Sequence, residues 1–363
     1  MSTSKRLTRL SATTVGGLFI FLTLSTNCRK SELRAILDGY EQTNLVADKA
    51  SFNPMLVDPQ LVNPWGMAFT PTSPVWTSDN GSGLSTLYEK NGTKVSLVVT
   101  IPSPDSTGGG TPTGILFNAT ADFMIPGEPP VASKFIFSTE DGTIIAWGGG
   151  TKGTIVADRS PWNAVYKGIA WASNGGQNFL YATNFHAAKI DVFDKNFNYV
   201  NGTTFHDPAL PHGFAPFNIR NIGGWLYVTY AKQMAPDNHD DEAGPGNGFI
   251  DIFTPGGTLL SRFATRGALN SPWGIVPAKV GFCKQADSVN VILVGNFGDG
   301  HINLYTDRGA FLGPLMDHDR PIVIDGLWDL ENDVPGATSA QLYFTAGPNK
   351  ESDGIFGFLE RKH

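Results

Sequence analysis

The chain has 363 residues, of which 41% are hydrophobic, 11% aromatic and only 16% charged, with 42 glycines and 24 prolines. This composition excludes an intrinsically disordered chain and favours many short strands joined by tight turns. The formal net charge is −7 and no run of lysine or arginine is present, which argues against nucleic acid as a partner.

The N-terminal segment has the order of a secretory signal peptide. Lys5, Arg6 and Arg9 precede an apolar stretch from Ala12 to Leu24, which is too short for a comfortable membrane span. We therefore predict a signal peptide over residues 1–27 and an exported protein, either periplasmic, in the cell envelope or secreted. These residues contain three basic and no acidic side chains, so their removal changes the net charge from −7 to −10.

The two cysteines cannot form a disulfide scaffold. Cys28 stands where a bacterial lipoprotein carries its lipid, but Ser25-Thr26-Asn27 is a poor match to the preceding lipoprotein signal. Lipidation of Cys28 and simple cleavage therefore both stay open, and a lipid on Cys28 is the sole membrane tether that we expect. Cys283 follows Phe282, and we predict a buried structural thiol there.

A short motif occurs six times along the rest of the chain. Its copies are Asn63-Pro64-Trp65-Gly66-Met67-Ala68, Thr111-Pro112-Thr113-Gly114-Ile115-Leu116, Val165-Tyr166-Lys167-Gly168-Ile169-Ala170, Ala215-Pro216-Phe217-Asn218-Ile219-Arg220, Ser271-Pro272-Trp273-Gly274-Ile275-Val276 and Gly326-Leu327-Trp328-Asp329-Leu330. Successive copies lie 48, 54, 50, 56 and 55 residues apart. A period near 50 residues, built from short strands, predicts a β-propeller with six blades.

The residue at the centre of the motif is expected to lie where the inner strands converge on a narrow channel, a place that favours glycine. Asn218 and Asp329 replace that glycine in two copies, which makes both of them candidate polar groups deep in the channel. Arg220 lies on an inner strand, and we expect it to form a buried ion pair with Asp329 or Glu140.

Two further β-rich segments follow each copy of the motif, rich in β-branched and aromatic residues. The sixth repeat ends at Glu360 after its third strand, whereas Asn44 to Asp48 resembles the fourth strand of the second repeat at Thr154 to Asp158. We therefore predict an all-β fold, a six-bladed β-propeller over residues 43–360, closed by an N-terminal strand at 43–48 that completes the last blade. Such closure leaves no free sheet edge, and residues 28–42 become a surface tether.

Several motifs of the chain resemble those of an uncharacterised family of exported bacterial proteins. They are Asn63-Pro64-Trp65-Gly66, Thr139-Glu140-Asp141-Gly142-Thr143, Tyr166-Lys167-Gly168, His239-Asp240-Asp241, Gly246-Asn247-Gly248-Phe249 and Val294-Gly295-Asn296-Phe297-Gly298-Asp299-Gly300. The matching motifs extend over about residues 44–358. The resemblance implies an exported six-bladed propeller but no activity and no catalytic residues. More remotely, the layout is similar to NHL-repeat proteins and to gluconolactonase-like propellers, and the latter hold a divalent ion in the channel with Glu and Asn or Asp ligands.

Polar side chains are concentrated where second strands end, at the same channel mouth as the starts of the first strands. We predict ligand-binding roles there for Asn80, Glu140, Asn184, Tyr230 and Asn296. Carboxylate and carboxamide oxygens are the ligands that Ca²⁺ prefers, so Glu140, Asn184 and Asn296 are candidate metal ligands. Tight turns are the alternative explanation for sequences such as Asp79-Asn80-Gly81. The acidic segment at residues 237–242 could bind Ca²⁺, but it lacks the spacing of an EF-hand and is expected to be a solvated insertion.

The motifs of common catalytic nucleophiles are missing from the sequence. It contains no Gly-x-Ser-x-Gly, no His-Glu-x-x-His and no Cys-x-x-Cys. We therefore favour a binding or scaffold protein that presents one face to a protein or small-molecule ligand, without catalysis. The alternative is a divalent-metal-dependent hydrolase of lactone or ester type that uses the channel mouth.

Overall fold

The computed structural model describes residues 37–105, 108–200, 202, 205–283 and 290–361. The predicted signal peptide, Cys28 and the first part of the predicted tether, up to residue 36, lie outside these residues. In the described part of the chain, six sheets of four or five strands are formed beside two small two-stranded hairpins, and the innermost strand of each large sheet contacts that of the next around a closed ring. The fold is therefore a six-bladed β-propeller, which confirms the predicted fold class. Among the described residues, no helix has the length and apolar character needed to cross a membrane.

The strands follow the chain from blade to blade, each blade running from its innermost strand outward. Before blade 1 come β1 (Tyr40–Ala47) and β2 (Leu56–Val57). Blade 1 contains β3 (Pro64–Ala68), β4 (Val75–Asp79), β5 (Leu84–Ser85), β6 (Leu87–Tyr88) and β7 (Val99–Thr100). Blade 2 contains β8 (Pro112–Phe117), a small hairpin of β9 (Met124–Ile125) and β10 (Val131–Ala132), then β11 (Phe135–Thr139), β12 (Thr143–Trp147) and β13 (Thr154–Asp158).

Blades 3 to 6 repeat this order. Blade 3 contains β14 (Tyr166–Asn174), β15 (Gln177–Asn184), β16 (Lys189–Phe193) and β17 (Tyr199–Val200). Blade 4 contains β18 (Phe214–Ile222), β19 (Trp225–Lys232), β20 (Gly248–Phe253) and β21 (Leu259–Thr265). Blade 5 contains β22 (Pro272–Pro277), β23 (Val291–Asn296), β24 (Ile302–Thr306) and β25 (Phe311–Pro314), followed by a hairpin of β26 (Met316–Asp317) and β27 (Arg320–Pro321). Blade 6 contains β28 (Leu327–Glu331), β29 (Gln341–Ala346) and β30 (Ile355–Arg361). Short helical turns lie at Ala50–Phe52, Ser160–Trp162 and Pro348–Glu351.

A bulge marks the centre of the motif in every blade. In blade 1, Pro64 pairs with Asp79 but Met67 pairs with Thr77, so the two residues between Pro64 and Met67 face the single residue Ser78 on β4. The register shifts at the same motif position in the other five blades. Because a bulge bends its strand and re-aims a side chain, each copy can turn its third residue toward the axis.

The central glycines allow the inner strands of adjacent blades to approach each other. A Cβ on Gly66 would lie 2.9 Å from the Thr113 oxygen in blade 2, and a Cβ on Gly114 would lie 2.8 Å from the Ile169 nitrogen in blade 3. The crowding that requires glycine therefore comes from the neighbouring inner strand, and not from a narrow channel as predicted.

The two polar replacements at the glycine position bond to the following blade. The Asn218 amide donates to the Trp273 carbonyl at 2.9 Å, and the Met67 N–H donates to the Asp329 carboxylate at 2.8 Å. Arg220 contacts Glu331 directly and lies 3.6 Å from Asp329, so of its two predicted partners it pairs with Asp329 and leaves Glu140 to Lys167. Asn218 and Asp329 therefore connect the inner strands of neighbouring blades, and these hydrogen bonds give both side chains a structural role.

The N-terminal strand closes the ring. β1 pairs antiparallel with β30 from Tyr40–Arg361 to Ala47–Ile355, and so completes blade 6. The strand begins three residues before the predicted start at 43, because Tyr40 is itself buried and its hydroxyl donates to the Phe282 carbonyl at 3.0 Å. Cys283, beside it, is a free thiol only 1% exposed, and burial raises the pKa of that thiol to about 11.

Candidate functional site

The third residues of the six motif copies occupy equivalent places on the inner strands. They are Trp65, Thr113, Lys167, Phe217, Trp273 and Trp328. Trp65 and Trp328 stack with ring centroids 3.5 Å apart, and Trp273 meets both edge-on at 6.1 and 5.9 Å. With Phe217 these rings form one buried cluster drawn from four blades, which we term the aromatic plug. The tryptophans of blades 1, 5 and 6 therefore fill the axis of the propeller.

Lys167 breaks this aromatic pattern. Its side chain is only 2% exposed, and its ammonium contacts the Glu140 carboxylate and lies 3.6 Å from Asp240. The ammonium also lies 5.1 Å from the ring centroid of Trp65 and 5.8 Å from that of Phe185, which are distances for cation–π contacts. A charge is thus placed on the rim of the aromatic plug, at the mouth that the sequence predicted.

Lys167 stays protonated in this place. Burial by itself lowers the pKa of a lysine, but Glu140, Asp240 and Asp241 more than offset burial and raise the pKa of Lys167 above its ordinary value. A raised pKa leaves no free amine at neutral pH. Lys167 therefore acts as a fixed positive charge and not as a nucleophile or base.

Glu140 belongs to a chain of hydrogen bonds that crosses three blades. Asn80 of blade 1 donates to the Glu140 carboxylate at 2.8 Å, and Asn63 donates to the Asn80 oxygen at 3.3 Å. The Asn63 amide also donates to Glu351 of blade 6 at 2.8 Å. The structure therefore brings Asn80 and Glu140 together, as two of the five predicted ligand-binding residues.

The acidic segment after β19 reaches the same mouth. The Met234 N–H donates to the Asp240 carbonyl at 2.8 Å and the Glu242 N–H to the Lys232 carbonyl at 2.7 Å, which fold the segment back along the blade. His239 bonds Asp240 at 2.8 Å; this bond raises the pKa of His239 and lowers that of Asp240 to about 2. Asp240 is exposed, as predicted for a solvated insertion, but its carboxylate also lies 3.6 Å from the Lys167 ammonium.

The mouth carries more negative than positive charge. Burial raises the pKa of both Asp241 and Glu351, and neighbouring carboxylates add to the effect in each case. One carboxylate oxygen of Asp241 is buried without a hydrogen-bond partner among the described residues. We use the term acidic mouth for Glu140, Lys167, Asp240, Asp241 and Glu351, in which one ammonium faces four carboxyl groups.

Two of the predicted metal ligands turn back into their own blades. The Asn184 oxygen accepts from the Val165 and Ala187 N–H groups at 3.4 and 3.2 Å, and its amide donates to Asp191. The Asn296 amide donates to the Ala268 carbonyl at 2.8 Å and to Asp299 at 3.1 Å. Each asparagine thus holds a turn of its own blade, and the structure shows no contact of either with Glu140.

Tyr230 also has a structural role. Its ring is buried in the hydrophobic core between blades 3 and 4. Burial, together with the adjacent Asp251, raises the pKa of the Tyr230 hydroxyl well above its ordinary value. A buried, protonated phenol bonded within its blade does not face the acidic mouth.

A different set of groups has the spacing of a cation site. Glu140, His239 and Asp240 each offer one ligand atom, and these atoms lie within 4.8 Å of one another. The Lys167 ammonium, however, contacts Glu140 and approaches Asp240, so it already supplies positive charge at this place. These residues fit a divalent cation only if Lys167 withdraws.

Sequence reasoning missed Lys167 and Glu351 as site residues and considered Asp240 only as part of an acidic segment. A signal for Lys167 was present, because it is the one charged residue among the six third positions of the motif. Asp240 and Glu351 gave no comparable signal. Each lies in a segment that follows the second strand of its blade, and the path of that segment is seen only in the folded chain.

Comparison with solved structures places the fold in a well-populated class. A streptogramin B lyase aligns with a TM-score of 0.52 and 13% identity over 89% of this chain and 97% of its own. The calcium-binding protein regucalcin from Agrobacterium tumefaciens aligns with a TM-score of 0.52 and 12% identity over 89% and 94% of the two chains. At such low identity the likeness shows the fold alone, and the chain is a six-bladed β-propeller of that class.

Sequence relatives define the family more closely. Uncharacterized proteins R648 and L690 of Acanthamoeba polyphaga mimivirus are each 33% identical over 316 residues, which are 83% of this chain and 76% and 81% of theirs. The chain therefore belongs to the same family as these two viral proteins. A scan against models of known protein families finds no match.

Proposed function

We propose that the protein is an exported propeller that binds its ligand without transforming it, and that the acidic mouth receives a positively charged group of that ligand. The observation that supports this proposal is the place of Lys167. The other motif copies carry Trp, Thr or Phe at this position, so the fold itself does not require a lysine there. A buried ion pair generally stabilises a protein no better than well-packed apolar side chains of similar volume.

The charge balance of the acidic mouth favours a cationic ligand. Lys167 neutralises Glu140, but Asp240, Asp241 and Glu351 leave an excess of negative charge at a partly buried place. Uncompensated carboxylates are costly to desolvate, and a ligand ammonium or guanidinium would relieve that cost. Asp240 is the most accessible of these groups, at 66% exposure of its side chain, and so is the first that a ligand meets.

Calorimetric titration with spermidine, an organic polycation, tests this proposal. We expect Asp240→Asn to weaken binding on the order of fivefold, since it removes a carboxylate that faces the ligand. Asp237→Asn is the matched control, because Asp237 lies exposed on the same segment and makes the same change of charge. Equal effects of the two variants, or no binding of spermidine to the wild-type protein, would contradict the proposal.

A second candidate function is a divalent-metal-dependent hydrolase of lactone or ester type. The grouping of Glu140, His239 and Asp240 within 4.8 Å favours it. Titration with CaCl₂ in place of spermidine, elemental analysis and a lactone and ester screen distinguish the two candidates. Calcium that co-purifies with the protein and is lost from Glu140→Gln would favour the hydrolase. A wild-type protein whose melting temperature is insensitive to EDTA would exclude resident calcium.

The proposal of export depends on the N-terminal pattern of basic and then apolar residues. Fractionation of the producing cells tests it, and Cys28→Ser separates a lipid tether from simple secretion. Recovery of the full-length chain in the cytoplasm would refute export.

A further inference from the structure

We propose a second ligand site, at the end of the propeller opposite the acidic mouth, that takes an aromatic amine. The inner strands end there around a cavity of about 370 Å³. Its floor contains Met67, Ile169 and Ile219, the residues at the fifth position of three motif copies. The aromatic plug occupies the third position, so it separates this cavity from the acidic mouth.

One half of the cavity wall is apolar and aromatic. The wall includes Leu116 and the three aromatic residues that directly follow the first three motif copies, which are Phe69, Phe117 and Trp171. Each of these three rings is only partly buried, although each lies in a concave surface. A half-ring of aromatic side chains around a cavity of this size is typical of small-molecule sites and suits a planar apolar body.

The other half of the wall is charged. Arg220 of blade 4 and Glu331 of blade 6 line it and contact each other across blade 5. The Arg220 side chain is 27% exposed, and it also lies 3.6 Å from Asp329, so two carboxylates hold its guanidinium in place. Asp333 stands at the rim, where Lys279 of blade 5 contacts it.

The arrangement of these charges selects the polar end of the ligand. Three carboxylates, those of Asp329, Glu331 and Asp333, face only the two cations of Arg220 and Lys279. The charged half therefore keeps an excess of negative charge and has little attraction for an anion. The carboxylates of Glu331 and Asp333 have further lone pairs that can accept hydrogen bonds. An ammonium group that faces them, on a body that lies against Trp171 and Phe117, satisfies both halves of the wall.

Ligand-observed saturation-transfer NMR with 2-phenylethylamine and 3-phenylpropionate tests the inference. The two probes have the same ring and similar length but opposite charge. We expect the amine to bind and the acid to bind at least about fivefold more weakly, because the acid meets two carboxylates. Trp171→Ala should reduce the signal of the amine, whereas Trp162→Ala, which removes a 61% exposed tryptophan elsewhere, should not.

The charged half is tested by Glu331→Gln and by Asp333→Asn. The second variant tests the same wall if Glu331→Gln disturbs the ion pair with Arg220 and the fold. Either substitution should weaken the binding of 2-phenylethylamine but not that of 3-phenylpropionate. Equal binding of the two probes, equal effects of the two tryptophan variants, or no binding of the amine would overturn the inference. If Asp240→Asn abolished the binding of 2-phenylethylamine instead, the amine would bind at the acidic mouth and the inference would be wrong.

Discussion

Asp79 shows how burial sets the behaviour of a single carboxyl group in this propeller. It ends β4 and so belonged, by sequence, to the polar mouth. In the structure it is fully buried within blade 1, where the Thr77 and Thr86 hydroxyls donate to it at 2.7 Å and the Thr86 N–H donates at 2.9 Å. Burial outweighs these bonds and raises the pKa of Asp79 to about 8.

The raised pKa predicts how stability varies with pH. Because the folded chain binds the Asp79 proton more tightly than the unfolded chain does, the free energy of unfolding falls as the pH rises from about 4 to about 8, by at most about 1.4 kcal/mol per pH unit. Asp79→Asn cannot titrate, so its free energy of unfolding should depend less on pH over this range. Denaturant unfolding between about pH 5 and pH 8 measures the slope. A variant with the wild-type slope would show that Asp79 is ionised in the folded chain.

At the scale of elements, β1 is the strand on which closure depends. It pairs with β30 along its whole length and buries Tyr40, Leu45, Val46 and Ala47. Without β1, the edge of β30 and the apolar side chains beneath it would be open to solvent and to pairing with other chains. One strand from the start of the chain therefore holds the first and last blades together.

Truncation isolates the contribution of β1. A chain that begins at Gly39 retains the strand, and a chain that begins at Asp48 lacks it, so the two differ only by β1 and the residue before it. We expect the shorter chain to melt on the order of 10 °C lower or to aggregate, since several buried side chains are lost. Differential scanning calorimetry measures the difference. Equal melting temperatures would mean that the last blade is stable without its fourth strand.

The blades could be predicted from the sequence, but most of the acidic mouth could not. Spaced β-rich segments and a repeated Gly position reveal strands and their order, since both depend on local pattern. The direction of Asn184 and Asn296 depends on turn geometry, because each is used by N–H or carbonyl groups of its own blade. The loop after β19 brings Asp240 close to Lys167, and the sequence of this loop has no repeating pattern from which its path could be predicted.

At the scale of the whole molecule, the aromatic plug divides the propeller into two ends. Trp328 stacks on Trp65 and on Phe297, and its indole N–H donates to Asn63 at 2.9 Å on the side of the acidic mouth. On the other side, the fifth motif residues form the floor of the opposite cavity. The indole N–H of Trp65 is buried without a hydrogen-bond partner among the described residues. Close-packed rings nevertheless transmit little between two sites unless they have a second arrangement.

The two ends should therefore bind their ligands independently. We expect Glu331→Gln to leave spermidine binding at the acidic mouth unchanged, and Asp240→Asn to leave 2-phenylethylamine binding at the opposite cavity unchanged. In the double variant, each probe should lose only the affinity that its own single variant costs, within about 0.5 kcal/mol, as is usual for distant sites without shared partners. Titration of each probe against the four proteins of this cycle measures the interaction energy between the ends. A coupling above about 1 kcal/mol would mean that the plug has two arrangements and carries a signal along the axis.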